Sequence, residues 1–296
     1  MDDGGKDSRG WLVFGLTGLV GECLRDACRP DDPPLIAVSR RPHADAARLR
    51  WLAGALPALA DPPFAPAAVV SLGPLDAFAA WFARSSLAPA RVVALGSTSV
   101  HAKATSPDAG ERAVAAALAA AESRLAAACA ARGSALTLLR PTLIYGRGRD
   151  RNLSRLVAFA RRWRVLPLPR GARGLRQPVH ADDVAGAVLR ALRSPLPVPG
   201  CFDLPGGEAL AFDEMARRCL AVAAPGARVL RLPGPVFRLG VALAGRAGAP
   251  GEGVLARLRQ DQTYDAGPLQ AALGLHSRPF RPTAADLSRA AAAQQE

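Results

Sequence analysis

Apolar residues run along the first half of the chain in short unbroken blocks, separated by longer stretches with helical spacing. Trp11-Leu-Val-Phe14, Leu35-Ile-Ala-Val38, Ala68-Val-Val-Ser-Leu72, Arg91-Val-Val-Ala-Leu95 and Leu136-Thr-Leu-Leu139 are too short for helices. They also lack polar alternation, which predicts strands buried on both faces. Arg48-Leu-Arg-Trp-Leu52 is a weaker strand of the same kind. Helices are expected from Leu19 to Arg29, from Leu75 to Leu87 and over the alanine-rich stretch Glu111 to Arg132. Strand and helix therefore alternate, which implies an α/β fold with a doubly wound parallel sheet.

From about Gly146 the pattern breaks into segments cut by proline and glycine, with helices expected at Asn152–Arg162, Ala181–Arg193 and Phe212–Ala223. The chain then divides into a disordered N-terminus over 1–10, a core over 11–145, a smaller substrate lobe over 146–289 and a frayed tail over 290–296. The lobe is expected to interleave with the last strands of the sheet. Asp182 is the expected N-cap of the helix running to Arg193. Trp51, Trp81 and Trp163 read as core or interface aromatics.

Charge changes this picture little. The 296 residues carry a net charge of +13, and Lys6 and Lys103 are the only lysines among 38 basic residues. Arginine with abundant alanine, glycine and proline fits a GC-rich coding bias, and the arginines are spread along the chain. Aromatics make up 5% of residues, too few for base-stacking platforms, so no nucleic-acid partner is expected. The five cysteines, Cys23, Cys28, Cys129, Cys201 and Cys219, show no CxxC spacing. They are expected as reduced thiols in a cytoplasmic protein, with no metal site. The run Trp11–Val20 is shorter than the roughly 20 residues of a membrane helix, and no membrane partner is expected.

The chemistry starts at Gly15-Leu-Thr-Gly18-Leu-Val-Gly21, between an expected strand and an expected helix. One glycine permits the tight turn, the next lets the backbone approach a pyrophosphate, and the third allows close helix–strand packing. The following helix N-terminus offers free N–H groups to phosphate. This is the pattern of a Rossmann-type dinucleotide site, with Gly15, Thr17, Gly18, Leu19, Val20 and Gly21 at the cofactor and Leu72 and Gly73 alongside. A carboxylate at the end of the second strand would hold ribose hydroxyls. The chain has Ser39-Arg40-Arg41 there instead, and guanidinium forks suit a 2′-phosphate, so NADP is the expected cofactor, with NAD possible.

Together these motifs resemble the short-chain dehydrogenase/reductase superfamily, in its extended and atypical branch of NAD-dependent epimerases and dehydratases. The glycine turn is similar to that branch's GATGFIG. Val92-Val-Ala-Leu-Gly-Ser-Thr-Ser-Val100 resembles its SSxSVYG segment, and Leu138-Leu-Arg-Pro-Thr-Leu-Ile-Tyr-Gly146 its ILRPxxIYGPG segment. Arg176-Gln-Pro-Val-His-Ala-Asp-Asp-Val184 resembles RxxVHVxDV, while Gly200–Gly207 and Leu273-Gly274 stand where the family has its YNL.G and LG elements. The likeness spans nearly the whole chain in order.

The resemblance implies a catalytic Ser97 and a Tyr-x-x-x-Lys pair on the long helix. With Glu122 in its family place, that pair falls on Val114 and Leu118, which cannot transfer a proton. Three alternatives stand open. His101 and Lys103 could move the proton beside Ser97. The protein could bind the dinucleotide without turnover, as a sensor or assembly protein. Or the reaction could draw its proton from substrate or water. The resemblance places substrate contacts at Ser99, Thr142 and Arg176, with Arg176 facing an anionic group such as a sugar-nucleotide diphosphate. Arg147-Gly-Arg-Asp-Arg151 and Arg170–Arg176 are expected to line the same cleft, and Arg176 could instead pair with Asp182 or Asp183. His180 and Tyr145 read as packing residues, and the arginine-studded stretch Arg155–Arg164 as a solvated basic face. The substrate class is a small, anionic molecule, and the oligomeric state is open.

Overall fold

The computed structural model describes residues 10–150, 152–244 and 256–288. Of the N-terminus expected as disordered over 1–10, residues 1–9 lie outside the described residues, as do the tail over 290–296 and Arg151, while Gly10 is buried and its carbonyl accepts the Ala67 N–H at 3.0 Å. The apolar blocks form a seven-stranded, wholly parallel sheet. Its strands are β1 (Trp11–Phe14), β2 (Leu35–Ser39), β3 (Leu49–Ala53), β4 (Ala68–Ser71), β5 (Arg91–Leu95), β6 (Ala135–Pro141) and β11 (Gly200–Leu204), in the order β11-β6-β5-β4-β1-β2-β3. The winding reverses between β1 and β4, so a crevice opens at the carboxyl ends of these two strands.

Each face of the sheet is covered, which is why its strands show no polar alternation. On one face α1 (Leu19–Ala27) and α6 (Ala181–Arg193) pack together, contributing Val20, Leu24, Val184 and Val188 to the core. On the other, α2 (Leu75–Arg84) lies along α4 (Ala109–Ala131), with Phe78, Trp81 and Leu125 at most 1% exposed. Full burial of a side chain such as Phe78 contributes about 1.5–3 kcal/mol. Trp81 is a core residue, its indole N–H donating to the Leu59 carbonyl across 3.0 Å. By length and composition α4 could cross a membrane, and it packs along α2 and β6 through Ala121, Leu125 and Ala128 while most of its residues stay unburied.

Two helices stop earlier than the sequence pattern suggests. At the ends of α1 and α2, Cys28 and Ser85 turn to extended ψ values of 142° and 146°. Pro30 follows the first of these by two residues and cannot continue a helix.

The second half contributes α6 and β11 to the sheet and builds a lobe from the remainder. Its helices α5 (Leu153–Trp163) and α7 (Phe212–Ala223) pack on the parallel pair β8 (Val165–Pro169) and β13 (Arg228–Leu232). Helix α8 (Gly234–Ala244) lies against β8. Two-residue pairs complete the lobe: β7 (Ile144–Tyr145) with β10 (Val179–His180), and β9 (Leu175–Arg176) with β12 (Leu210–Ala211). The short helices α9 (Gly267–Leu273) and α10 (Ala284–Leu287) follow.

Two local expectations need correction. The N-cap of α6 is His180, whose Nδ1 accepts the Asp182 N–H across 3.1 Å, while Asp182 sits in the first turn. Trp163 is 58% exposed at the end of α5, its ring 6.4 Å from that of Phe159, so of the core and interface alternatives the core one falls.

Candidate functional site

The glycine turn sits at the carboxyl end of β1, in the crevice where the winding reverses. Gly15 has φ +86°, in the left-handed region, and an added Cβ would lie 3.0 Å from the Gly73 nitrogen. At Gly21 an added Cβ would lie 2.5 Å from the Gly15 carbonyl oxygen, so only glycine lets α1 sit this close to the turn. The first helical bond of α1 runs from the Glu22 N–H to the Gly18 carbonyl at 2.9 Å. The N–H groups of Leu19, Val20 and Gly21 precede it and point out of the helix start, as an anion site requires.

A cleft of about 760 Å³ opens above this turn. Gly15, Thr17, Ser39, Arg40, Arg41 and Gly73 line it, together with His43, Leu56 and Arg149. Leu72 stands just behind, its N–H donating to the Phe14 carbonyl at 2.9 Å. The Ser39 hydroxyl accepts the Arg41 N–H at 3.1 Å and meets His43 Nε2 at 3.1 Å, while the His43 ring stacks on Trp51 at 4.2 Å. Arg40 and Arg41 are exposed, and neither has a carboxylate partner among the described residues. The cradle of three glycines and a helix start fits a nicotinamide dinucleotide, with two unpaired guanidinium groups at its rim.

A second cleft, of about 670 Å³, lies on the other side of β4, at the carboxyl ends of β5 and β6. It gathers Ser97, Ser99, Lys103, Thr142 and Arg176, five of the six residues expected at the chemistry or the substrate. Ser97 Oγ accepts the Ser99 N–H at 3.1 Å, which leaves its own proton free to donate. The Thr142 hydroxyl donates to the Gln177 carbonyl. Lys103, at the end of α3 (Ser99–Ala102), is half-buried. Burial first, then the charge of Arg257, holds its ammonium below the ordinary lysine range, with Asp108 opposing.

His101 is not brought to this cleft. One turn of α3 points its ring away, where Nε2 lies 3.2 Å from Asp203 Oδ1 and 3.3 Å from Arg140 Nη1. Arg140 also embraces Glu122, its Nε donating to Oε1 at 2.9 Å, and this contact raises the guanidinium's pKa. His101 and Lys103 therefore do not line one cleft.

Arg176 borders the cleft but is 6% exposed and pairs with neither Asp182 nor Asp183. It donates to the carbonyls of Leu175 at 2.7 Å, Gln260 at 2.8 Å and Arg257, with its guanidinium carbon 5.8 Å from the centre of the Phe212 ring. Arg155 and Arg257 line the cleft too, Arg257 held by Glu111, and sequence reasoning gave neither a role at the site. Their approach depends on how the lobe folds back, for which no local motif exists.

The arginine loop after β7 also lands elsewhere than expected. Arg147 pairs with Asp26 at 2.6 Å and Asp182 at 3.4 Å, and Arg149 reaches Glu22 and the Thr17 carbonyl, beside the glycine turn. Asp150 caps the start of α5, accepting the Leu153 N–H at 2.6 Å. Tyr145 packs edge-on against His180 and Phe280, and burial pushes its phenol well above the ordinary range. The other tyrosine, Tyr264, has its hydroxyl 3.4 Å from the Thr98 carbonyl. On α4, Val114 is exposed and Leu118 half-buried. The cysteines are free, and burial pushes Cys23, Cys129 and Cys219 up to about 12, far from a reactive thiolate.

No curated protein matches the chain. Among solved structures, MoeE5 in complex with UDP-glucuronic acid and NAD is similar at 19% identity, covering 95% of this chain and 97% of that one with a TM-score of 0.69. A UDP-glucuronic acid 4-epimerase from Bacillus cereus in complex with NAD gives 11%, 95%, 97% and 0.68 in the same terms. The terminal R domain of the myxalamid PKS-NRPS biosynthetic pathway gives 19%, 95%, 89% and 0.67. At these identities the likeness is one of fold, and it extends over nearly the full length. Residues 65–200, a segment that runs from just before β4 to the start of β11, are similar to the NAD dependent epimerase/dehydratase family.

Proposed function

We propose that the chain is an NADP(H)-dependent oxidoreductase or epimerase/dehydratase-like enzyme acting on a small anionic substrate. The observation that carries this reading is Ser39-Arg40-Arg41 at the end of β2, on the rim of the cleft that holds the glycine turn. A 2′-phosphate there would meet two guanidinium forks and no carboxylate. The dinucleotide, once bound, supplies a hydride acceptor or donor. Ser97, with a free hydroxyl proton, orients a substrate oxygen, and Ser99 and Thr142 add hydrogen bonds. Lys103, whose ammonium is destabilised by burial, holds or gives up the proton. Lys103, Arg155 and Arg257 make the cleft cationic, which suits a phosphorylated substrate such as the nucleotide sugar carried by MoeE5.

Calorimetric titration with NADP(H) and NAD(H), on the wild type and on R40A/R41A, tests the reading. Preference for NADP(H) that disappears in the double variant supports it. Equal affinities for the two dinucleotides overturn the NADP assignment, and no binding of either overturns the whole. The aliphatic Val114 and Leu118, where the family resemblance implies a tyrosine and a lysine, favour a second reading: a dinucleotide-binding protein without turnover. NADP(H) binding with no reduction or oxidation across a screen of sugar nucleotides and phosphorylated carbonyl compounds would support that second reading.

A further inference from the structure

The loop between β7 and α5 is fastened at three points, two on helices that cover the sheet and one on the lobe. Arg147, itself at φ +54°, pairs with Asp26 on α1 at 2.6 Å and with Asp182 on α6 at 3.4 Å. The Gly148 N–H donates to the Asp286 carbonyl at 2.9 Å. With its neighbours held in this way, Arg149 crosses to the glycine turn. One terminal nitrogen meets the Glu22 carboxylate and the other donates to the Thr17 carbonyl at 3.2 Å. Among the described residues of this loop it is the one that lines the cofactor cleft.

This placement has an electrostatic consequence. Glu22 stands in the first turn of α1, beside the N–H groups that face a phosphate, where an uncompensated carboxylate would repel the ligand. Arg149 neutralises it. A guanidinium has five N–H donors, and these two contacts engage only part of the fork. Its side chain is 30% exposed and lines the cleft.

We propose that Arg149, delivered from the second lobe, is a pyrophosphate-binding residue of the dinucleotide cleft. The proposal rests on the reading that this cleft takes a dinucleotide, and it adds a contact that the glycine turn alone does not provide. The fork lies over the turn and the helix start, whereas Arg40 and Arg41 stand at the end of β2. The two sets therefore recognise different phosphates of one ligand, and the ligands that carry those phosphates separate them.

The experiment compares wild type, R149A and R40A/R41A for binding of NADPH and of adenosine 2′-monophosphate, which has the 2′-phosphate and no pyrophosphate. R149A should bind NADPH at least 10-fold more weakly and adenosine 2′-monophosphate within 2-fold of wild type. R40A/R41A should weaken both. E22Q, which frees Arg149 from its carboxylate, should bind NADPH at least as tightly as wild type. Wild-type affinity of R149A for NADPH, or an equal loss for both ligands, overturns the proposal. Should R149A fail to fold, R149Q is read in the same comparison. Absence of NADPH binding by the wild type is a different failure, that of the cofactor reading itself.

Discussion

His180 and Asp286, 106 residues apart, meet through Nε2 and Oδ1 at 3.0 Å. The Asp182 N–H donates to His180 Nδ1, so the ring proton sits on Nε2 and is donated to the carboxylate. Burial by itself would raise the Asp286 pKa. The bond from His180 and those from the Thr283 N–H and hydroxyl outweigh it and bring the carboxyl from 3.8 to about 2. Its stabilising contribution is therefore complete above pH 4 and lost as pH falls through about 2.

We expect D286N to lower unfolding stability at pH 7 by about 1–2 kcal/mol. The variant should also flatten the fall in stability between pH 4 and 2. Urea unfolding at a series of pH values measures both effects, and an unchanged slope in the variant would show that this carboxylate does not carry the acid sensitivity.

The turn at Gly21 gives a steric expectation. A methyl group there would overlap the Leu16 and Gly15 carbonyl oxygens, both of them backbone that cannot rotate away. G21A should push α1 off the turn, costing about 1–3 kcal/mol of stability. It should also weaken NADPH binding at least 10-fold, because the free N–H groups of Leu19 and Val20 move with the helix. Thermal unfolding and NADPH titration of the same sample read the two effects together.

These sites differ in how far the sequence announced them. β1, β2, β4, β5 and β6 were legible because burial on both faces leaves a continuous apolar run. Helices α6 and α7 were legible to the residue because their apolar spacing is local, although the cap of α6 was not, His180 holding the place expected of Asp182. The pair β8–β13 was not, since β8 carries Pro167 and Pro169 and joins a partner some 60 residues away in the sequence. The glycine turn could be read from spacing alone, as its chemistry is contained within seven residues. The posts of Arg149, Arg155 and Arg257 could not, because in a chain this rich in arginine only the tertiary fold distinguishes one guanidinium from another. The turn of α3 that separates His101 from Lys103 was equally invisible, although the two residues are neighbours but one.

Glu122 and Arg140 form a nearly buried ion pair between α4 and β6, with Glu122 8% exposed. Removing one partner strands the other charge, and that is far more costly than removing both. E122A should destabilise the protein by about 3 kcal/mol, and E122L/R140M should recover most of the loss. Arg140 also lies 4.0 Å from Asp203, which limits the penalty in E122A. Chemical unfolding of the two variants decides the matter. Equal destabilisation by both would mean that the pair matters for packing and not for charge.

Lys103 and Arg257 share the second cleft, and their like charges give a direct reading of the proposed proton carrier. Burial and then Arg257 lower the Lys103 pKa, so replacing Arg257 with glutamine should return it part of the way towards 10.5. Lys6 and Lys103 are the only lysines, so NMR titration of reductively methylated protein resolves Lys103 against the signals of Lys6 and the terminal amine, with K103R assigning it. R257Q should move the Lys103 midpoint upward and leave Lys6 unchanged, whereas H101N should move neither, because His101 faces Asp203. Where a substrate is in hand, a limb of the rate profile governed by Lys103 should follow the same shift to higher pH. A midpoint that stays fixed in R257Q would mean burial alone sets the lysine's proton affinity, and the cationic wall of the cleft would then serve substrate binding only.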